Sequence, residues 1–271
     1  GGIFWMYSRD LPSHAFLSQY EPRIISRIYN GEGRIIDEFA EERRLFVSIN
    51  DVPDIVKEAF ISAEDKNFYT HNGYDVLGMI SAARDALSGS RLRGASTIPQ
   101  QVAKNFLLDG DRTAERKIKE LILSTRLVQA LPKDRILELY LNEIYLGQNS
   151  YGVAAAALTY FNKSLAELSP AEAATLASMP REPARSHPVR DHDKVLSRRN
   201  AVLLQMRQNG YIDEATYQDQ IAQPLLSVQN GDYPGFRTTL PPRDYFTDEI
   251  RRQLSGTFGE DEFYGGGLSI R

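Results

Sequence analysis

The stretch DVPDIVKEAFISAEDKNFYTHNG, Asp51 to Gly73, turns the chain from strand-like to helical text. Ile55, Val56, Ala59, Phe60 and Ala63 recur at three- and four-residue spacing, the period of one helix face. That face ends at two adjacent carboxylates, Glu64 and Asp65, and Phe68, Tyr69 and His71 follow before Gly73. A carboxylate placed there is either an acid–base group or a charged helix end running into a loop.

Upstream, RIISRIY and RIIDEFA flank the turn signal Asn30-Gly31-Glu32-Gly33 and RLFVSI follows, which predicts β structure over 23–49. Downstream, Val76, Ile80, Ala83 and Leu87 predict a helix between Asp75 and Gly89. Thr97-Ile-Pro-Gln100 reads as a capping box with proline in the first turn, opening a helix through Leu108. Ile118, Leu121, Ile122 and Thr125 mark a fourth helix. Pro132 starts a fifth, carrying Ile136, Leu137, Tyr140, Leu141 and Ile144, with Gly147 as its stop. A second capping box, Ser169-Pro-Ala-Glu172, opens a helix that stops before Pro180, and a long helix near 193–208 ends at Gly210. The expectation is a mainly α domain over about 51–215, a β segment before it, and a mixed, proline-containing stretch from 216 to 271. The last residues, FYGGGLSIR, read as a strand cut short.

Bulk composition narrows the function classes. The 271 residues carry a net charge of −4, which argues against a general nucleic-acid binder. No cysteine is present, which excludes disulfide scaffolds, thiol nucleophiles and thiolate metal sites. With four histidines (His14, His71, His187, His192) a zinc enzyme is a poor fit. No segment approaches the roughly 20 apolar residues of a membrane span. Yet the chain opens on GGIFWMY, and Trp and Tyr favour the membrane interface. This reads either as the outer end of a membrane helix or as a short apolar element packed on the domain.

Chemistry concentrates between Arg84 and Arg126. That window holds nine cations and five acids, a balance of +4 inside an acidic chain, which suggests an anionic ligand against the plainer reading of a solvated basic face. The basic loop GSRLRGAST, with Arg93, Ser96 and Thr97, feeds a helix N-terminus of the kind that suits phosphate. Gln100, Gln101, Lys104 and Asn105 line its first two turns. In RKIKE, Arg116 and Lys117 share a helix face with Glu120, by itself an ordinary helix salt bridge. Glu64, Glu120 and the loop between them point to glycosyl transfer from a sugar pyrophosphate, because paired carboxylates serve glycosidic chemistry and an anion site serves a phosphate leaving group.

These segments are similar to known motifs. EDKNFYTHNG, GASTIPQQVAKN, RKIKE, KDRILELYLNEIYLGQ and LASMPREPARSHP resemble, in order, the five motifs of the peptidoglycan glycosyltransferases of family 51, found in class A penicillin-binding proteins. The resemblance covers about Val52 to Asn200. Ala95, Pro99 and His187 depart from the family pattern, which touches loop geometry and no carboxylate. It implies a lysozyme-like, mainly α fold, with residues 1–8 ending a membrane anchor and 9–50 forming a membrane-proximal β linker. Residues 51–215 would form the glycosyltransferase domain, and 216–271 would lead to a D,D-transpeptidase domain beyond this chain.

It implies lipid II and the growing glycan strand as substrates, at the outer (periplasmic) face of the bacterial cytoplasmic membrane. Cell-wall machinery proteins are candidate partners, magnesium or manganese a candidate cofactor, and moenomycin the expected inhibitor. Glu64 would be the general base and Glu120 would assist at the donor. Lys104, Arg116 and Lys117 would offset pyrophosphate charge. Asp65, His71, Arg93, Ser96, Thr97, Gln100, Gln101, Asn105, Arg126 and Asn142 would complete the substrate-binding set. Within it, Asp65 reads as a helix-end residue bonded to nearby N–H groups and His71 as a fixer of the loop; Glu138, outside the set, and Asn142 read as polar framework bracing the cleft, with Asn142 the substrate neighbour of the two. A solvated glutamate, with a pKa of about 4.3, is a feeble base toward an alcohol, and burial at the end of an apolar helix would raise it. A muramidase-like hydrolase and a non-catalytic glycan-binding module are the rival readings.

Overall fold

The computed structural model describes residues 2–9, 11–13, 15, 17, 43–88, 96–107 and 114–235. The strands expected over 23–41, the loop residues Arg91, Arg93 and Ala95, and the tail FYGGGLSIR lie outside the described residues.

The described chain is mainly α, as expected. Helix α1 spans Gly2–Ser8. Strand β1 is the pair Arg43–Arg44. Helix α2 runs Asp54–Glu64, after a 3-10 turn Ile49–Asp51 whose cap, Ser48, accepts the Asn50 N–H. Helix α3, Val76–Leu87, starts where Asp75 Oδ1 accepts the Gly78 N–H at 3.1 Å. Helix α4, Ile98–Ala103, continues as a single 3-10 turn Lys104–Phe106. Then come α5, Ala114–Ala130, and α6, Lys133–Glu143. Strand β2, Ser150–Tyr151, precedes α7, Val153–Phe161, and α8, Pro170–Ala177. The chain of described helices closes with α9, His192–Gln208, and α10, Glu214–Ile221. Both predicted capping boxes form, Thr97 with Gln100 and Ser169 with Glu172. Each such cap is worth about 1 kcal/mol to its helix.

Two boundaries move for local reasons. Helix α4 tightens into 3-10 geometry after Ala103 instead of running to Leu108. Helix α6 stops at Glu143, short of Gly147, because Tyr145 forms an antiparallel bridge with Tyr151. The turn between them needs positive φ at Gly147, Gln148 and Asn149. Helices α7 and α10 have no half-buried face: α7 is apolar and buried almost all round, while α10 is polar with no buried residue.

The chain divides into two compact units, residues 1–21 with 64–140 and residues 22–63 with 141–271. In the first, α4 and α1 both pack on α5. Phe68, Ile98, Leu123, Leu127, Ile136 and Leu137 are fully buried there, and a buried side chain of this size contributes about 1.5–3 kcal/mol. Helix α3 behaves differently. Val76, Ile80 and Leu87, expected on a helix face, are exposed, and Leu77 beside them is 75% exposed. Trp5 of α1 is also 65% exposed. Among the described residues no helix is long and apolar enough to cross a membrane.

In the second unit β1 pairs in parallel with β2, Arg43 opposite Ser150 and Arg44 opposite Tyr151. Helix α7 packs on both strands, and α8 packs against α9 and α10. Of the expected strand RLFVSI, residues 44–49, only Arg44 lies in the ladder, paired beside Arg43. Beyond it, Asn142 replaces a strand partner: its Oδ1 accepts the Val47 N–H and its Nδ2 donates to the Val47 carbonyl, both at 2.8 Å. Asn142 is 0% exposed, and its amide is spent on Val47, as polar framework.

Candidate active site

Glu64 is the last residue of α2, and the chain turns at Asp65 into the loop that ends at Gly73. The loop is held from inside. Asp65 is buried, and its Oδ2 accepts the Ile98 N–H of α4 at 3.0 Å. His71 Nε2 lies 2.8 and 2.7 Å from the two Asp65 oxygens. The Gly73 N–H donates to His71 Nδ1 at 3.0 Å, so Nδ1 is the acceptor and Nε2 carries the proton directed at Asp65. His71 thus fixes the loop through a defined tautomer.

Lys133, at the start of α6, closes the same loop. Its ammonium donates to the Phe68 and His71 carbonyls and sits 4.9 Å over the Phe68 ring. Burial lowers its pKa, with the Asp65 charge pulling the other way. Tyr69 Oη donates to Asp134 at 2.9 Å, and Thr97 Oγ1 donates to the Gly73 carbonyl at 2.8 Å. Gly73 has φ +109°, and a Cβ there would meet the Ser124 carbonyl group of α5 at 2.8 Å. Only glycine permits that approach.

The N–H groups at the N-terminus of α4, which the sequence offers to a phosphate, are engaged within the protein, and residues 89–95 of the preceding loop lie outside the described residues. The Ile98 N–H is taken by Asp65, Pro99 has none, and the Gln100 N–H goes to Thr97 Oγ1. The Gln101 N–H bonds the Thr97 carbonyl, and Gln100 Oε1 accepts the Thr97 N–H at 2.8 Å. The positive end of this helix therefore faces an internal carboxylate. Thr97 and Gln100 are both buried, and each is engaged in the cap of α4.

Gln101 faces the other way. Its Nε2 donates to Glu64 Oε2 at 3.2 Å, and both residues are half-buried. Lys104 and Asn105 follow on exposed positions. On α5, Glu120 is 3% exposed and pairs with Lys117 Nζ at 3.0 Å. The same ammonium donates to Ser96 Oγ at 3.0 Å, tying α5 to the residue just before the α4 cap. Arg116 is half-buried on the same helix, while Lys119 turns to Glu115 at 3.1 Å. Both glutamates thus have a partner at the α4 segment, one through Gln101 and one through Lys117 and Ser96.

Arg126 lies elsewhere. Its Nη1 donates to the Leu11 and Pro12 carbonyls at 3.3 and 3.2 Å, and its Nη2 to the Ser8 carbonyl at 3.1 Å. It holds the N-terminal segment. Arg93 lies outside the described residues.

Two residues that sequence reasoning left as core or unremarked feel the charges of these carboxylates. Lys133 is one. Tyr140 is the other: it is buried, and burial, reinforced by the charges of Glu64 and Asp65, pushes its phenol well above the ordinary range. Tyr140 thus keeps its proton beside the carboxylates at neutral pH. A lysine in the first turn of a helix and a tyrosine on an apolar face carry no sequence signal of such roles.

Among the described residues no three carboxylates or imidazoles converge. Both Asp65 oxygens face the N–H of His71 or Ile98, and Glu120 Oε1 faces an ammonium.

A protein-family model described as Transglycosylase matches residues 32–207. Penicillin-binding protein 1A of Rickettsia prowazekii (strain Madrid E) is 43% identical over 273 residues, covering 99% of this chain and 34% of that protein. Penicillin-binding protein 1A of Escherichia coli (strain K12) is 39% identical over 272 residues, covering 98% of this chain and 31% of that protein. The chain spans about a third of the length of these curated relatives. A crystal structure of penicillin-binding protein 1A from Haemophilus influenzae aligns with 28% identity and a TM-score of 0.44, over 82% of this chain and 22% of that one.

Proposed function

Because the chain belongs to the transglycosylase family, we propose that it polymerises lipid II into β-1,4 glycan strands for the bacterial cell wall. Glu64 takes the proton from the 4-hydroxyl of the acceptor GlcNAc. The freed oxygen attacks C1 of the donor MurNAc, and the bond to the α-linked undecaprenyl pyrophosphate breaks with inversion. The pyrophosphate leaves with its electron pair, and Lys117, Arg116 and Lys104 offset its charge. Glu120 holds the Lys117 ammonium in place for that step.

The observation that carries this reading is the unlike setting of the two glutamates. Glu64 is half-buried against a neutral amide, whereas Glu120 is buried against an ammonium. Two carboxylates in different environments divide acid–base and electrostatic work. A sugar leaving group, as in a muramidase, has no use for the cations.

The exposed apolar side chains of α3 and Trp5 support work at a membrane surface, where such residues find apolar cover. On this reading residues 1–8 end an anchor, 9–50 link it to a glycosyltransferase domain over 51–215, and 216–271 lead toward a transpeptidase domain. The site faces the periplasm, with cell-wall proteins as partners.

The test is a gel assay of glycan polymer formed from purified lipid II. The parent protein gives polymer, moenomycin suppresses it, and Glu64→Gln abolishes it while the circular dichroism spectrum and Tm stay at parent values. Full activity of Glu64→Gln would overturn the assignment of the base. Cleavage of finished glycan without polymerisation would replace the transferase by a hydrolase.

A further inference from the structure

We propose that the second unit carries a separate binding site for a small organic carboxylate, with Arg199 as its charged anchor. The site is a cavity of about 330 Å³ lined by residues of α8, α9 and α10 and by the segment after α10. Its size is within the usual range for small-molecule pockets. Phe161, Leu225, Leu226 and Tyr233 give it an apolar wall.

Arg199 is 1% exposed, yet no carboxylate pairs with it among the described residues. Its Nε donates to Asn200 Oδ1 at 3.0 Å, and its Nη2 to the Gln223 and Ile221 carbonyls at 2.8 and 3.3 Å. Nη1 has no protein acceptor among the described residues. A guanidinium keeps its charge in proteins, and a buried charge is costly unless an opposite charge meets it. The carbonyls at the end of α10 offset part of that charge.

The other cation of the cavity, Lys163, is already neutralised. Its Nζ lies 2.9 and 3.1 Å from the two oxygens of Glu172 and 4.7 Å over the Tyr233 ring. Burial alone would lower the Lys163 pKa, but the Glu172 partner raises it, so this pair stays ionised. Of the two cations of the lining, Arg199 alone has no carboxylate partner among the described residues, and it lies beside an apolar wall. The complementary ligand carries one carboxylate on an apolar body. A structural staple for the end of α10 would need no such ligand.

Sodium benzoate and benzamide, titrated at constant ionic strength into the intact protein, separate the two cases. The Arg199 Nε–H resonance is followed by NMR. Benzoate shifts it saturably, and benzamide, of equal shape and no charge, binds at least about tenfold more weakly. Leu226→Asp, on the exposed rim, weakens benzoate by about the same factor through like-charge repulsion. Arg199→Gln does likewise where it folds, and Leu226→Asp decides the matter where it does not. Equal binding of benzoate and benzamide, no saturable shift, or no effect of Leu226→Asp overturns the proposal.

Discussion

Gln101 Nε2 stands 3.2 Å from Glu64 Oε2, one hydrogen bond from a two-turn helical segment to the last residue of α2. A neutral amide orients the carboxylate without adding a charge beside it. If Glu64 takes the acceptor proton, its direction matters in the transition state more than in the ground state. Gln101→Ala should therefore lower kcat for lipid II polymerisation by about 10- to 100-fold, the worth of one hydrogen bond to a charged group. KM should change little, and Tm should stay within about 1 °C because the side chain is only half-buried. Unchanged initial rates would remove Gln101 from the site.

The loop from Asp65 to Gly73 offers a stability test. Gly73 combines φ +109° with a 2.8 Å approach of its absent Cβ to the Ser124 carbonyl. Its own carbonyl anchors Thr97, the cap of α4. Gly73→Ala should destabilise the protein by about 2–4 kcal/mol, from left-handed backbone strain plus displacement of the loop from α5. Urea unfolding curves measure this. A change under about 0.5 kcal/mol would mean the loop relaxes without cost.

Much of this arrangement is legible from residue spacing, and the rest fails for identifiable reasons. The capping boxes at Thr97 and Ser169 are local signals, and both form as written. The apolar face of α2 and the carboxylate at its end were also readable. What spacing could not show is which donors are already taken. The α4 N-terminus looks suited to phosphate until Asp65, thirty-three positions earlier, is found on the Ile98 N–H. Arg126 looks like part of a basic patch until its guanidinium meets three carbonyls of the N-terminal segment. Asn142 on a helix gives no hint that its amide completes the peptide group of Val47. Helix α7 escaped periodic reading because a helix buried almost all round has no polar face to set a period.

Asp75 gives the pH dependence. Burial alone would raise its carboxyl, but the Gly78 and Leu77 N–H groups and the Asn67 amide together hold it below the ordinary aspartate range. A folded pKa below the unfolded one means the unfolded chain binds more protons in between. The stabilisation is therefore complete above about pH 4 and is lost as pH falls through the lower, folded value. Wild type should exceed Asp75→Asn in urea midpoint at pH 6, and the gap should close below pH 4. A gap that persists unchanged to pH 2 would show that the charge on Asp75 contributes nothing.

Arg126 separates framework from substrate contact in the first unit. The carbonyls of Ser8, Leu11 and Pro12 converge on one guanidinium. Charge-assisted bonds of this kind are worth about 1.5–3 kcal/mol each when buried, and less at a half-exposed position such as this. Arg126→Ala should release the segment from α5, so that limited trypsin digestion cuts within the first twenty residues about tenfold faster, the effect of roughly 1.4 kcal/mol on local opening. Were Arg126 instead a ligand for the pyrophosphate, the variant would raise KM for lipid II and leave the digestion rate alone. Faster digestion with an unchanged KM therefore settles its role as a tether for the N-terminal segment.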